Sequence, residues 1–330
     1  MRLKRERIIG LWLFGVAMMV FFMVVLGGLT RLTGSGLSMV DWKPVTGWLP
    51  PLSLEEWQRV FELYKQSPQY EKVNFGMSLE EFRNIFWLEF LHRLWGRIIG
   101  LAFGLPLVFF ILRGWVSKQM ILPLCGLFVL GGAQGVLGWY MVKSGLVDIP
   151  EVSQYRLAAH LGFAFVLYAA LIWTGLKFYK GKGSLSGLVC SKKSLLLLGL
   201  SYVTIFAGAL VAGLDAGLTY NTFPLMDGEL IPTGLYDQGP WYLNHFENIT
   251  TVQFQHRVLA IALLVLSIVF YLKNKEIPIV KICALVVCLQ AVIGIATLLM
   301  VVPISLASLH QAGGLLVFTA FTWLNFEVRS

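Results

Sequence analysis

Apolar residues in this chain fall into runs too long for a water-soluble fold. Gly10–Thr30, Met120–Val142, Ser194–Leu214 and Ile282–Val302 each extend without a charged residue over the roughly 20 positions that a helix needs to cross a bilayer. Leu157–Leu176 and Leu306–Phe326 are of similar length and carry one titratable residue apiece, His160 and His310. Ile98–Leu112 and Val258–Leu272 are short alone. They reach spanning length if helix continues back through Glu89, His92, Arg93 and Arg97, and through Gln253, His256 and Arg257. The pattern predicts an all-α integral membrane protein of eight transmembrane helices.

The loop after the first span has a pattern of its own. Ser53-Leu54-Glu55-Glu56 has capping-box spacing, and Leu54, Trp57, Val60, Phe61 and Tyr64 recur on one helical face. An amphipathic helix lying on the membrane or over a site is expected there. Ser78-Leu79-Glu80-Glu81 offers a second capping box, so the second span is expected to begin outside the membrane and enter it near Phe86.

Composition agrees with the pattern. Of 330 residues, 57% are hydrophobic and 13% charged, too little polar sequence to cover a soluble surface of that size. A net charge of +8 would raise nucleic acid as a partner, but the distribution of charge argues for no nucleic acid. Basic residues gather at Arg2, Lys4, Arg5 and Arg7, at Arg113 and Lys118, across Lys177–Lys193, and at Lys273, Lys275 and Lys281. These lie at alternate ends of successive spans, the positive-inside pattern. Both termini are therefore expected in the cytoplasm, with the acidic loops around Glu55–Glu81 and Asp215–Glu247 outside. The first apolar run is longer than a signal-peptide core and lacks a small-residue cleavage site, so it reads as a retained helix. With no transit-peptide pattern ahead of it, the expected location is a bacterial inner membrane, in contact with membrane lipid. Cysteines stand only at 125, 190, 283 and 288, in or near spans or in an inner loop. They offer no outer disulfide framework, and Cys283 and Cys288 read as packing residues.

The second half repeats the first. Gly36-Leu37-Ser38 returns as Gly217-Leu218-Thr219, His92-Arg93 as His256-Arg257, Gln134 and Gly138 as Gln290 and Gly294, and His160-Leu161-Gly162 as His310-Gln311-Ala312-Gly313. Two tandem four-helix bundles are expected, residues 1–176 and 194–330, joined by a cytoplasmic linker at 177–193 rich in Gly, Ser and Lys. An even number of spans per unit gives both bundles the same orientation, unlike an inverted repeat.

The repeat places His92, His160, His256 and His310 within the first turns of even-numbered spans, at one depth. In an up-down-up-down bundle the second and fourth helices are diagonal neighbours. With adjacent axes roughly 8–10 Å apart, the diagonal gap admits a flat macrocycle with an imidazole on each face, the arrangement of axial haem ligands. Two such sites are expected, His92/His160 and His256/His310. The rival reading, a core histidine bonded to its neighbours, suits one residue better than four at matched depth, since ionisable groups inside a membrane are usually functional. Zinc is a further reading, weakened because only Glu89 adds a carboxylate or thiolate at ligand spacing. His245 has no counterpart and reads as a surface residue.

The halves differ beside these histidines. Glu89 stands three residues before His92, on the same helical face, whereas the matching residue before His256 is Gln253. A resident electron-transfer haem needs two ligands and no reactive group, which suits the Gln253 half. Oxidation of a carbon needs proton removal and stabilisation of positive charge, which a carboxylate assists. Arg93, Arg97 and Arg257 are candidates to pair with haem propionates or with Glu89, or to snorkel toward the interface.

Over nearly the whole chain these residues resemble the haem A synthase family. The resemblance is carried by Gly27–Ser38, Glu89-Phe90-Leu91-His92-Arg93, Gln134–Gly138, Ala159-His160, Asp215–Leu218, Asn221–Pro224, His256-Arg257 and His310-Gln311. It implies oxidation of the C8 methyl of haem O to a formyl group by two successive hydroxylations with water-derived oxygen, giving haem A for cytochrome oxidase assembly. It further implies that His256 and His310 ligate a resident haem b, that His92 and His160 lie at the substrate haem, and that Glu89 is catalytic. Many members carry a cysteine pair in the first outer loop. This chain matches the form without it, so no redox role of that pair operates here. A haem O synthase is the expected donor of so insoluble a substrate, and the electron acceptor stays open. Two rivals come from other classes: a di-haem b-type cytochrome in quinone-linked electron transfer, and a haem transporter or chaperone.

Overall fold

The computed structural model describes residues 2–43, 46–146, 150–181 and 191–328. In chain order its helices are α1 (Arg2–Leu32), the short α2 (Leu54–Lys65) and α3 (Pro68–Lys72), α4 (Leu79–Leu112), α5 (Lys118–Lys143), α6 (Gln154–Lys180), α7 (Ser191–Gly213), the short α8 (Asn244–Glu247), α9 (Ile249–Lys273), α10 (Pro278–Leu299) and α11 (Ile304–Val328). Eight of them, all but the three short ones, are long and apolar enough to cross a membrane. The chain is a multi-pass, all-α membrane protein.

Local sequence sets the helix ends. Ser78 caps α4: the Glu81 N–H donates to Ser78 Oγ at 3.3 Å, and the Ser78 N–H donates to Glu81 Oε2 at 2.8 Å. Both orphan donors of the first turn are thereby satisfied, and the helix runs unbroken through Glu89–Arg97. Asn248 does the same for α9, accepting from the Thr251 N–H at 2.9 Å. The expected span Ile282–Val302 ends short, at Leu299. Val301 and Val302 adopt φ of 60° and 55°, and the Val302 N–H folds back to the Thr297 carbonyl at 2.8 Å. Two β-branched residues in left-handed geometry close a turn, where the apolar run alone suggested more helix. α6 continues to Lys180 and α7 begins at Ser191. Cys190 lies outside the described residues, while Cys125, Cys283 and Cys288 are free thiols on spanning helices.

In the first half α1 packs on α4 and α6, and α5 on the same two, closing a ring with α4 and α6 across its diagonal. In the second half α7, α9, α10 and α11 close an equivalent ring, with α9 and α11 across the diagonal. This packing is compatible with two tandem bundles. The rings meet along α1 with α11, α6 with α7, and α6 with α11. Their cores are continuous there, since Leu315, Phe318 and Phe326 of α11 join the core of the first ring. Phe165 and Phe318 lie 5.5 Å apart between ring centres.

The amphipathic face of α2 docks on the N-terminal part of α4. Trp57, Phe61 and Tyr64 are buried against Phe82, Phe86 and Phe90, with ring centres 5.0 Å apart for Trp57 and Phe86. Leu54, predicted on the same face, stays exposed. Each buried aromatic contributes about 2–3 kcal/mol, enough to hold the loop over the end of α4 where Glu89 and His92 follow.

Candidate functional site

Each of the four histidines packs against a glycine on a neighbouring helix. A Cβ built on Gly27 of α1 would lie 3.3 Å from His92 Nε2, and one on Gly208 of α7 would lie 2.9 Å from His256 Cε1. Gly138 of α5 and Gly294 of α10 stand in the same relation to His160 and His310, at 2.9 and 2.6 Å from Cε1. The absent side chains make room for the rings and fix their depth. The Gly138/Gly294 match was visible in the sequence. The Gly27/Gly208 match was missed, although it lies nine residues before the aligned Gly36 and Gly217.

Hydrogen bonds around the rings follow the repeat with one difference. Gln134 Nε2 donates to the His160 carbonyl at 2.9 Å and Gln290 Nε2 to that of His310 at 2.8 Å, and each also lies within 3.2 Å of its ring's Nδ1. In both, the amide Oε1 is buried without a partner among the described residues. At His256, Nδ1 donates to the Thr204 carbonyl at 3.0 Å, so Nε2 carries the lone pair. His92 has no equivalent bond among the described residues.

The larger difference is at Glu89. Its carboxylate is buried and accepts from Ser38 Oγ at 2.8 Å, from the Met39 N–H at 2.8 Å, and from Arg93 one turn on. Arg93 also donates to the Met39 and Asp41 carbonyls at 2.9 and 3.2 Å. In the second half Arg257 clasps the equivalent carbonyls of Tyr220 and Thr222 at 2.7 and 2.8 Å. Gln253 there donates to the Tyr220 carbonyl at 3.0 Å, and its Oε1 is buried without a partner among the described residues. The two arginines thus tie the loop that follows α1 or α7 to α4 or α9, and only in the first half does the arginine meet a carboxylate on its own helix. Arg97, one turn beyond Arg93, donates to the Lys43 carbonyl at 2.8 Å. With Arg93, Lys43 and Arg59, and with the carboxylates of Asp41 and Glu56, it lines a cavity of about 250 Å³ beneath α2; Asp41 pairs with Lys43 and Arg59.

The second pair of histidines stands at the spacing of two ligands to one metal. The His256 and His310 ring centres lie 6.5 Å apart. Two imidazoles bound to one metal from opposite sides, each at about 2 Å, have centres about 6 Å apart. No group of three or more His, Cys, Asp or Glu that would hold a bare metal ion occurs among the described residues. A macrocycle that brings its own four equatorial donors suits a two-histidine site.

The profile of the cytochrome oxidase assembly protein family matches residues 10–322. The chain belongs to this family. It is 50% identical to the Heme A synthase of Nitrosospira multiformis, over 98% of this chain and 94% of that protein. It is 53% identical to the Heme A synthase of Parvibaculum lavamentivorans, over 94% and 92%. The Heme A synthase COX15 of Arabidopsis thaliana is 45% identical over 99% of this chain and 76% of the plant protein.

Within this family member the structure gathers Glu89, Arg93 and Arg97 on one face of α4, with His92 directed at Gly27 of α1. Ser38 and Met39, which orient Glu89, were not singled out from the sequence as its partners. His245 is only partly exposed: Nδ1 lies 3.0 Å from Gln255 Oε1, and the ring sits between Tyr236 and Trp241.

Proposed function

We propose that this chain is a haem A synthase, which oxidises the C8 methyl of haem O to a formyl group in a bacterial inner membrane with both termini in the cytoplasm. Residues 1–176 form the reaction unit and residues 194–330 the electron-transfer unit. His256 and His310 hold a resident haem b, which when bound supplies a one-electron acceptor. His92 and His160 hold the substrate haem. Two successive hydroxylations with oxygen from water convert the methyl group, and each releases two electrons and two protons.

The observation that carries this reading is the exchange of Glu89 for Gln253 in an otherwise duplicated frame. Glu89 is held by Ser38, Met39 and Arg93 in a fixed orientation on the His92 helix. A preorganised carboxylate stabilises a developing cationic carbon and accepts the proton it loses. The lock on His256 by Thr204 suits a ligand that never releases its iron. Its absence at His92 suits one that must exchange substrate for product. Arg97, at the cavity beneath α2, suits the substrate's propionates, and Arg257 those of the resident haem. Direct transfer from a haem O synthase follows from the substrate's insolubility in water.

Pigment extraction from the protein produced with a source of haem O tests the proposal. A synthase yields a formyl-bearing haem. A di-haem cytochrome yields haem b alone, and a transporter or chaperone yields haem O unchanged. Either of the last two results excludes the proposed reaction.

A further inference from the structure

The two seams between the rings are equivalent in position and different in chemistry. Where α7 meets α6, Ala209 packs in an apolar cluster with Leu161. Where α1 meets α11, the register that matches Gly27 with Gly208 and His160 with His310 puts Gly28 and Gln311 in their places. Gln311 Nε2 donates to the Val24 carbonyl at 2.9 Å. Its Oε1 occupies the space of a side chain on Gly28, 1.8 Å from where a Cβ would stand. Val24 is one turn before Gly28, so its carbonyl already accepts the helical bond. Only the bare backbone at Gly28 lets a second donor reach it.

Consecutive glycines of α1 therefore serve both sites. Gly27 backs His92, and Gly28 receives the residue that follows His310. α1 is the spacer between a histidine of each ring, and the amide of Gln311 fixes α11 on it along the membrane normal.

We infer that Gln311 is a positioning residue: it sets the register of His310, and hence of the resident haem, against the reaction site across α1. This rests on the proposed division between the two histidine pairs. Electrons leaving the first site reach the second across this interface, and the neighbouring seam has an apolar pair at the same level.

The test replaces the polar pair by the apolar one in the full-length, haem-loaded protein, Gly28→Ala with Gln311→Leu. Ala209 and Leu161 hold the matching positions in the apolar cluster of the other seam. The expected result is full resident haem content, a shifted low-spin electron paramagnetic resonance signal of that haem, and a loss of haem A formed per resident haem on the order of 10²-fold, the loss typical of a misplacement near 1 Å. An unchanged signal with wild-type turnover per resident haem would reduce the seam to packing and overturn the inference. If the double variant does not accumulate, Gln311→Leu alone leaves Gly28 in place and carries the same two readouts. Absence of haem A from the wild type would sink the proposed function instead, and the resonance signal would still decide the positioning role.

Discussion

Glu89→Gln separates chemistry from architecture at the reaction site. The carboxylate is 2% exposed and its partner Arg93 12%, and removing one member of a buried pair generally costs about 3–5 kcal/mol. Here the cost is smaller. Arg93 keeps the Met39 and Asp41 carbonyls, and a glutamine oxygen still accepts from Ser38 and Met39. The second half shows that the arginine stands without the carboxylate, since Arg257 beside Gln253 is held by the loop carbonyls of Tyr220 and Thr222. A destabilisation of about 1–2 kcal/mol is therefore expected, near the net worth of a hydrogen bond to a charged group. Against that modest change, loss of a positioned base costs roughly 10²–10⁴-fold in rate. The assay is haem extraction and chromatographic separation, normalised to resident haem b per folded molecule. Haem b is expected to stay, haem A to fall below detection, and haem O or a partly hydroxylated haem to accumulate. If Glu89 only braces Arg93, the variant loses some folded protein and keeps near-normal turnover per molecule, and that result would refute the catalytic assignment.

Further outcomes follow from the packing. Gly294→Ala places a Cβ 2.6 Å from His310 Cε1 and is expected to lower bound haem b, measured by its absorbance per protein, whereas Gly15→Ala, with open space around it, leaves it unchanged. Trp57→Ala removes a buried anchor of α2 at a cost of about 3–5 kcal/mol and is expected to expose the 53–72 segment to protease; unchanged cleavage would mean that the α2 contact with α4 adds little. Cysteines introduced at exposed positions in Glu55–Lys72 are expected to react with an impermeant reagent from outside intact cells, and reaction only after the membrane is opened would invert the proposed topology.

Much of the fold was legible because bilayer thickness converts apolar run length directly into helices. Leu157–Leu176, Leu306–Phe326, Gly10–Thr30 and Met120–Val142 fall wholly in spanning helices, and Ser194–Leu214 all but its last residue. The run at Ile282–Val302 overshot because apolar composition does not distinguish helix from the left-handed turn at Val301 and Val302. The Ser-x-x-Glu patterns at Ser53 and Ser78 gave the starts of α2 and α4, since cap bonds are local; Ser78 forms the full box, whereas at Ser53 the Glu56 carboxylate accepts from the Leu52 N–H instead. What α2 covers was not legible, because its face suits lipid as well as Phe82, Phe86 and Phe90. At the site, the pairing of Glu89 with Arg93 follows from their spacing of one turn. The donors Ser38 and Met39 lie some fifty residues away, and only the folded chain brings them to the carboxylate.

Haem inventories of two variants, His160→Ala and His310→Ala, probe the division of labour most directly. Each removes one imidazole from an equivalent place in the duplicated frame, purified from cells supplied with haem O and measured as haem b, haem O and haem A per mole of protein. His310→Ala is expected to lose haem b, and His160→Ala to keep most of it while forming no haem A. Equal loss of haem b in both variants, or haem A formation surviving in His160→Ala, would contradict a resident haem in the second half and a reaction site in the first.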